Sequence, residues 1–457
     1  MQNRTIAAVS TPYGRGAISL IRLTGRDSIE IADKIFKPKN KTSLENSAHA
    51  RAVYGDIVSN GIIIDDGVAT VFRAPHSYTG EDTVEIACHG GIVVTNEVMT
   101  ALLDSGAYPA GAGEFTKRAY ANGKMTLSQA EAIMDIIDAK TPAALKLANT
   151  SGRGALSQEA SEIYEKIKTL LASIYAYIDY PDEDLTDVTV DEMKSELRSL
   201  LDKTSSLADS YKTGKAVKEG IKTAICGKPN VGKSSVLNMF TGEDTAIVTD
   251  IEGTTRDVIT TQAVCNDVML VLSDTAGIRQ TDDTVESIGV ERAITEVGKA
   301  ELVLAVFDTS RPFDERDEEI INTLKDSSAV KIALLNKTDK EPLFDTEKIN
   351  GYFDKKVYIS AKTMQGKKEL EDVIGELFTG GRIDYSSPFI SNSRQYSEIC
   401  RTRDAVASAL SSLDSGMTQD IASFDLEDAL SAISRLDGRE MTDDVVNEIF
   451  SKFCVGK

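Results

Sequence analysis

The chain lacks tryptophan and has only three histidines and five cysteines in 457 residues. The cysteines stand singly, at Cys88, Cys226, Cys265, Cys400 and Cys454. Without a CxxC pair they predict neither a zinc site nor a disulfide framework, and unpaired thiols suit a reducing compartment. No apolar run approaches the length of a membrane-spanning helix, and the first residues do not resemble a secretory signal. These absences predict a soluble cytoplasmic protein with no membrane association.

Basic residues are outnumbered by acidic ones. The 51 lysines and arginines face 72 aspartates and glutamates, which gives a formal net charge of −21. A chain this acidic presents no broad basic surface for a phosphate backbone, so a nucleic-acid role would depend on a local basic patch or on a partner protein. The length predicts about three domains.

The most informative feature that is present is a phosphate-binding loop. Residues 227–234 read Gly-Lys-Pro-Asn-Val-Gly-Lys-Ser and follow the apolar segment from Ile221 to Cys226. Glycines let backbone N–H groups approach phosphates, and a following helix N-terminus attracts anions. Lys233 is predicted to reach the β- and γ-phosphates, and the Ser234 hydroxyl to bind Mg²⁺. The nucleotide contacts predicted in this loop are Asn230, Val231, Gly232, Lys233, Ser234 and Ser235.

Two later segments predict guanine as the base. Asn336-Lys337-Thr338-Asp339 places a carboxylate where it accepts hydrogen bonds from guanine N1–H and the exocyclic amine. Adenine would leave that carboxylate unpaired, at a cost of about 1–3 kcal/mol. Ser360, Ala361 and Lys362 follow the apolar run from Val357 to Ile359 and are predicted to close over guanine O6.

Two segments between the loop and the base motifs suit the magnesium side of the site. Asp274-Thr275-Ala276-Gly277 follows the apolar run from Val268 to Leu272 and predicts an outer-shell carboxylate and an amide for the γ-phosphate. Gly253-Thr254-Thr255-Arg256-Asp257 predicts a switch segment, in which a threonine offers its hydroxyl to Mg²⁺. Five elements in this order predict a GTP site.

Two residues distinguish this site from the Ras type. Ile278 stands where Ras has a water-orienting glutamine, so either hydrolysis is slow or another group supplies that function. Asn230 could hold a monovalent cation beside the phosphates and so replace an arginine finger electrostatically. The alternative is that Asn230 only shapes the turn, and the residue alone leaves both interpretations open.

The chain divides into four segments by the pattern of its apolar residues. Residues 1–118 carry β-like stretches at Thr5 to Val9, Ile18 to Leu23, Gly67 to Phe72 and Thr83 to Ala87. Residues 119–216 have helical periodicity at Ser128 to Lys140, Ala143 to Asn149, Ser157 to Ile178 and Val190 to Leu207. Residues 217–381 alternate strands and helices, and 382–457 are again helical. We therefore expect a multidomain α+β and α/β protein, in which a doubly wound, mostly parallel GTPase domain interrupts an all-α domain formed by two chain segments.

Several clusters in the flanks have no place in a GTPase domain. They are Thr11-Pro12-Tyr13-Gly14-Arg15-Gly16, Thr79-Gly80-Glu81-Asp82, Gly113-Glu114-Phe115-Thr116-Lys117-Arg118-Ala119 and Phe453-Cys454-Val455-Gly456-Lys457. Each one alone is typical of a surface loop. Together with the GTPase motifs, they closely resemble the MnmE/TrmE family of tRNA-modification GTPases over essentially the whole chain. One departure is Gly111-Ala112, where the family usually has Arg-Pro.

The resemblance implies an activity and its partners. The N-terminal domain would bind a tetrahydrofolate derivative (5-formyl- or 5,10-methylene-) and form a homodimer. A partner of the MnmG/GidA type would carry FAD. The two proteins would add a carboxymethylaminomethyl or aminomethyl group to carbon 5 of the wobble uridine of certain tRNAs. Dimerisation of the GTPase domains, with K⁺ and Mg²⁺, would drive GTP hydrolysis.

The resemblance also implies residue roles. Potassium contacts fall on Asn230, Thr249, Ile251 and Thr254, and magnesium ligands on Ser234 and Thr255, while the threonines also contact GTP. Glu286 would orient the attacking water, in a catalytic set with Lys233 and Thr255. Folate contacts fall on Arg22, Glu85, Lys124 and Lys457, and Cys454 is implied to be functionally important. Cationic groups suit the glutamyl carboxylates of a folate, and a carboxylate suits the N–H donors of its pterin.

One alternative has the same phosphate loop. A ribosome-assembly or translational GTPase, acting as an RNA- or protein-binding switch, would share Gly-Lys-Pro-Asn-Val-Gly-Lys-Ser. Such a factor would have no use for the folate-type clusters or for the Phe-Cys-Val-Gly-Lys end.

Overall fold

The computed structural model describes residues 4–179, 189–241, 260–273, 297–381 and 383–456. The chain forms two compact units. Unit 1 is built from residues 1–134, 151–187 and 418–457, and unit 2 from residues 135–150 and 188–417. The domain boundaries predicted from the sequence pattern, at 118/119, 216/217 and 381/382, remain predictions.

Unit 1 contains a sheet of seven strands among the described residues. They are β1 (Ile6–Val9), β2 (Ile18–Thr24), β3 (Phe36–Pro38), β4 (Ala52–Ser59), β5 (Ile62–Phe72), β6 (Thr83–His89) and β7 (Tyr108–Pro109). Their order is β3-β4-β5-β6-β2-β1-β7, antiparallel except for the parallel pair β1 and β7. Side chains alternate across such a sheet, so β2 buries Ile21 and Leu23 and directs Arg22 to the opposite face.

Helices pack on both faces of this sheet. α1 (Ser28–Ile35) and α2 (Ile92–Asp104) pack their apolar residues against the strands in one hydrophobic core. α3 (Glu114–Ala121) follows β7, and its Phe115 is fully buried against β1. A short 3-10 helix at Leu44–Asn46 lies between β3 and β4.

The remaining helices of unit 1 come from distant parts of the chain. α4 (Leu127–Asp138) belongs to unit 1 up to residue 134, whereas α5 (Pro142–Gly152) lies mostly in unit 2, where Ala143, Ala144 and Leu147 join the hydrophobic core. α6 (Ala155–Asp179) buries Ile163, Ile167 and Ile174 at helical spacing and packs along α12 (Gln419–Asp437). α13 (Asp443–Ser451) packs on α3.

Unit 2 contains a second sheet. Its strands are β8 (Ile221–Gly227), β9 (Thr260–Cys265), β10 (Val268–Ser273), β11 (Leu302–Asp308), β12 (Val330–Asn336) and β13 (Lys355–Tyr358). Among the residues described, the order is β13-β12-β11-β8-β10-β9, and all neighbours are parallel except β9 and β10. β11 is buried along its whole length, as expected of a central parallel strand.

The helices of unit 2 are α7 (Val190–Glu219), α8 (Lys233–Thr241), α9 (Glu315–Leu324), α10 (Lys367–Thr379) and α11 (Ser393–Asp414). Thr189 and Glu192 form a capping box that starts α7, so the helix begins at a defined residue. α7 packs along α11, and a 3-10 helix at Thr346–Ile349 precedes β13. In the part of the chain that the structure describes, no helix combines the length and the apolarity needed to cross a bilayer.

The expected secondary structure is largely confirmed. The predicted strands of the first block are β1, β2, the last part of β5, and β6, and the predicted helices from Ser128 to Leu207 match α4 to α7. The mixed α/β class with many helices is confirmed as well. The patterns in residues 1–118 locate only strands, and the structure adds α1, α2 and α3, in keeping with the α+β character expected of this segment.

Candidate functional site

Three predicted motifs of unit 2 meet at one edge of its sheet. The phosphate loop follows β8, the Asn336 segment follows β12 and the Ser360 segment follows β13. These strands and β11 are parallel and adjacent, so their carboxyl ends lie side by side. β8 is also where the strand order changes direction, and ligands of open α/β sheets bind at such a point.

The phosphate loop needs glycine where other groups approach it closely. Gly232 has φ +106°, and a Cβ on it would lie 2.3 Å from Nδ2 of Asn336. Gly227 has φ +149°, and a Cβ there would lie 2.6 Å from the carbonyl oxygen of Val306. The loop therefore lies against the base-binding segment and against β11, which leaves no room for side chains at these positions.

Lys233 occupies the first position of α8 with its ammonium turned back over the loop. Nζ donates to the carbonyl oxygens of Gly227, at 2.8 Å, and Lys228, at 2.7 Å. Burial lowers the pKa of Lys233, and within the described residues it has no ion pair with a carboxylate. A partly buried cation that is paired only with carbonyls is electrostatically suited to an anion such as a phosphate.

Asn336 links the phosphate loop to the base-binding loops. The side chain is 2% exposed. Its Nδ2 donates to the carbonyl oxygen of Val231 at 2.8 Å, and its Oδ1 accepts from the backbone N–H of Ala361 at 3.0 Å. Because both ends of the amide bond to neighbouring segments, Asn336 fixes the position of three segments, and its second N–H is left for the base.

Lys337 provides a second link. It has φ +69°, and its Nζ donates to the carbonyl oxygen of Asn230 at 2.8 Å and to Oδ2 of Asp308 at 2.6 Å. Burial raises the pKa of Asp308, but hydrogen bonds from Lys337 and Ser310 outweigh it and hold that pKa below its usual value. The sequence analysis missed Asp308, although it follows the apolar strand β11 as Asn336 follows β12.

Asp339 is the predicted guanine ligand. Its Oδ1 accepts a hydrogen bond of 2.7 Å from the Ser360 hydroxyl, which lowers the pKa of Asp339. The carboxylate is therefore ionised at neutral pH and oriented by Ser360. A charged acceptor held in this way suits paired N–H donors such as those of guanine.

A further anchor of the phosphate loop was also missed. Lys228 bonds to Asp314 at 2.9 Å and to Asp317 at 2.7 Å, at the capping box that starts α9. Asp317 is buried, so this ion pair ties the outer part of the loop to a fixed helix end. Only the three-dimensional neighbourhood of Lys228 reveals this contact, because α9 is more than eighty residues away in sequence.

The metal candidates in the described part of the loop have open ligand atoms. The side chains of Ser234 and Asn230 are exposed and make no hydrogen bond with other described residues. Asn230 has φ +63°, which turns it at the apex of the loop. A hydroxyl and an amide oxygen are ligands suited to Mg²⁺ and K⁺ respectively, so these two residues fit the implied ions.

The remaining positions of the site divide into two groups. Val231 and Ala361 are buried, whereas Ser235 and Lys362 are exposed at the same edge of the sheet. The predicted residues that lie outside the described part of the chain are Thr249, Ile251, Thr254, Thr255, Asp274, Thr275, Ala276, Gly277, Ile278 and Glu286.

Unit 1 brings Arg22 and Glu85 together. They are opposite one another on β2 and β6, and Nη2 of Arg22 lies 2.7 Å from Oε1 of Glu85. Lys124 donates to the carbonyl oxygen of Pro75 at 2.9 Å. Pro75 belongs to the segment that precedes β6, so Lys124 borders the same part of unit 1. Lys457 lies outside the described residues.

The C-terminal segment docks on the N-terminal sheet within unit 1. Val455 forms a β-bridge with Ala112, and the N–H of Gly113 donates to the carbonyl oxygen of Cys454 at 3.3 Å. The Ser10 hydroxyl donates to the carbonyl oxygen of Gly456 at 3.0 Å. The atypical Gly111-Ala112 therefore lies where the tail is bound, and Cys454 is exposed there.

Two family models match this chain. The model of the MnmE helical domain matches residues 127–454, well over half of the chain, and that of the GTP-binding protein TrmE N-terminus matches residues 5–124. The chain belongs to the MnmE family. This agrees with the resemblance inferred from the motifs, and it accounts for the clusters that lie outside the GTPase motifs.

Curated MnmE proteins are similar over almost their full length. A protein described as tRNA modification GTPase MnmE from Clostridioides difficile (strain 630) is 40% identical over 456 residues, covering 99% of both chains. One with the same description from Streptococcus thermophilus (strain CNRZ 1066) is 41% identical over 459 residues, covering 99% of this chain and 98% of the relative.

Proposed function

We propose that this protein is a potassium-dependent GTP hydrolase that modifies tRNA together with a FAD-dependent partner of the MnmG type. The pair adds a carboxymethylaminomethyl or aminomethyl group to carbon 5 of the wobble uridine of certain tRNAs. The one-carbon unit comes from a tetrahydrofolate bound to unit 1. Support comes from membership of the MnmE family and from relatives described as tRNA modification GTPases.

The observation that carries the GTPase part is the amide of Asn336. It bonds at once to the phosphate loop, through Val231, and to the base-closing loop, through Ala361. Nearby, Ser360 orients the Asp339 carboxylate for a guanine edge. This arrangement positions phosphate and base recognition as one rigid frame, which is what specific GTP binding requires.

The hydrolytic residues act on the γ-phosphate end of GTP. Lys233 supplies a partly buried positive charge to the phosphates, and the Ser234 hydroxyl would hold Mg²⁺, which neutralises phosphate charge. Asn230, with Thr249, Ile251 and Thr254, would hold K⁺, which supplies the charge of an arginine finger. In the absence of a Ras-type glutamine at Ile278, Glu286 orients the attacking water, and Thr255 completes the magnesium side.

Association of two chains drives this cycle in our proposal. The chains form a constitutive homodimer through their N-terminal domains, and binding of GTP and K⁺ by the segment 249–255 brings the GTPase domains together. Hydrolysis then reopens them. The closure is coupled through the helical regions to the folate-dependent chemistry, where Cys454 and the tail lie on unit 1.

The test is GTP hydrolysis by the purified full chain in KCl and in NaCl at equal ionic strength. We expect a large rise that is specific to KCl, and near loss of hydrolysis in Glu286→Ala with nucleotide affinity unchanged. Equal rates in both salts would remove the potassium mechanism. Lost nucleotide binding in Glu286→Ala would mean that this residue is structural.

A second measurement tests the folate part. A tetrahydrofolate that binds only the folded chain must raise its melting temperature, by mass action. We expect such a rise with 5-formyl-tetrahydrofolate and none with an equal concentration of glutamate. No rise would favour the alternative of a ribosome-assembly or translational GTPase, which has no folate site.

A further inference from the structure

The Arg22–Glu85 pair leaves hydrogen-bonding groups of both residues open on the face of the unit 1 sheet opposite α1 and α2. Nε of Arg22 donates to Oε1 of Glu85 at 2.9 Å, and Nη2 lies 2.7 Å from the same oxygen in an ion pair. Nη1 of Arg22 and Oε2 of Glu85 make no hydrogen bond with other described residues. The side chains of Arg22 and Glu85 are 16% and 23% exposed, so the pair is partly accessible to solvent.

Two aromatic rings hold the guanidinium in place. Cζ of Arg22 lies 5.4 Å from the ring centroid of Tyr78 and 5.8 Å from that of Phe115. Both distances are within the range of cation–π attraction. Phe115 is fully buried, and Oη of Tyr78 lies 2.8 Å from Oγ1 of Thr116, so neither ring is free to turn away.

The segment that carries Tyr78 is itself fixed by α3 and the residues that follow it. Arg118 bonds to Glu81 at 3.0 Å, and its guanidinium is almost completely buried. The amide of Asn122 donates to the carbonyl oxygen of Thr79 at 2.8 Å. Residues 75–82 and 114–124, two motifs far apart in the sequence, therefore form one rigid wall beside Arg22.

We propose that Tyr78 and Phe115 are positioning residues, which hold Arg22 and Glu85 as a single preformed unit that binds the pterin end of the folate. This inference rests on the proposed folate function. A carboxylate oxygen beside a guanidinium N–H is complementary to a 2-amino-4-oxo edge, where N–H donors lie next to a carbonyl oxygen. Arg22 is already paired with Glu85, so other cationic side chains bind the glutamyl carboxylates of the folate.

The prediction concerns affinity and selectivity together. Tyr78→Leu removes the ring over Arg22, and the loss of a cation–π interaction at a partly buried site weakens binding by about three- to thirtyfold. Tyr78→Phe keeps the ring and should restore affinity to within about twofold. The matched control is Tyr177→Leu, which should bind as wild type. Tyr177 is an exposed tyrosine of the same unit, and its ring lies under no cation of the described residues.

The measurement is titration calorimetry of the full chain with 5-formyl-tetrahydrofolate and with a 2,4-diamino analogue of a folate. The analogue places a donor where the carbonyl oxygen was, facing Arg22. We expect the wild type to prefer the 4-oxo ligand and Tyr78→Leu to lose most of that preference. A merely structural role for Tyr78 would weaken both ligands equally and leave the ratio unchanged.

The outcomes separate this inference from the proposed function. A wild-type chain that binds no folate overturns the folate function itself. A wild type that binds, with Tyr78→Leu equal to it in affinity and in selectivity, overturns the positioning role alone. Arg22→Lys provides an independent test in case Tyr78→Leu does not fold. It keeps the charge but cannot make the paired hydrogen bonds of a guanidinium. Full 4-oxo preference in Arg22→Lys would also overturn the inference.

Discussion

Alanine at Gly232 should disable the nucleotide site through a single added methyl group. The new Cβ would lie 2.3 Å from Nδ2 of Asn336, far inside van der Waals contact. Asn336 cannot withdraw freely, because its amide bonds to Val231 on one side and to Ala361 on the other. Either the loop or the Asn336 bridge must therefore move.

The magnitude follows from two contributions. A left-handed backbone costs a non-glycine residue about 1–2 kcal/mol. Displacement of Asn336 leaves buried polar groups unpaired, which costs about 1–3 kcal/mol. We expect Gly232→Ala to lower the free energy of unfolding of the nucleotide-binding region by about 2–5 kcal/mol, and to weaken GDP binding by at least about tenfold.

The control isolates the steric part. Gly351 has φ +80° in the same unit and no atom within 4 Å of an added Cβ, so Gly351→Ala carries the backbone strain alone. Urea unfolding and GDP titration of both variants give the comparison. If Gly232→Ala unfolds like Gly351→Ala and binds GDP like wild type, the Asn336 bridge is not the rigid link described above.

Three further predictions use other parts of the molecule. Asp339→Asn should weaken GTP and favour xanthosine triphosphate in competition assays, and an unchanged guanine preference would contradict the base assignment. The hydrogen bond that the Asp65 carboxylate accepts from the His89 ring raises the pKa of His89 above its usual value, so an NMR titration should show the shift in wild type but not in Asp65→Asn. Because the folded-state pKa is raised, the stabilisation is complete below about pH 6.5 and is lost as pH rises through the raised value. The difference in unfolding free energy between wild type and Asp65→Asn should therefore shrink from about pH 6 to about pH 8. A difference that grew over this range would contradict the prediction. Gly456 has φ +97°, and a Cβ there would lie 2.3 Å from a carbonyl oxygen of β1, so Gly456→Ala should speed hydrogen exchange of the tail, whereas Gly416→Ala, in open space, should not.

The nucleotide site was predictable where its residues are contiguous in sequence. The phosphate loop and the Asn336 and Ser360 segments each form a short motif after an apolar strand, so strand periodicity and residue type placed them together. Asp308 and the partners of Lys228 were not predictable. They belong to other strands and helices, and only the strand order of the sheet brings them to the loop.

The N-terminal region shows where local preference and the observed structure differ. α2 begins Ile92-Val93-Val94-Thr95, a β-branched run that favours a strand. It is a helix because Thr95, Val98 and Leu102 are then buried against the sheet. Likewise, the polar residues around Tyr78 are typical of a surface loop, and the contact of Tyr78 with Arg22 depends on α3, which no local pattern predicts.

The assembly of unit 1 from three stretches of chain has a consequence for biosynthesis. Its sheet leaves the ribosome first, yet α12 and the strand-like tail that complete the unit are made after the whole of unit 2. Domains generally fold in the order of their synthesis. Unit 1 is different, because its synthesis starts first and is completed last. A prematurely terminated chain would therefore contain every nucleotide-binding motif but lack Cys454 and the docked tail. Unit 1 is therefore complete only after the last residues of the chain have been made.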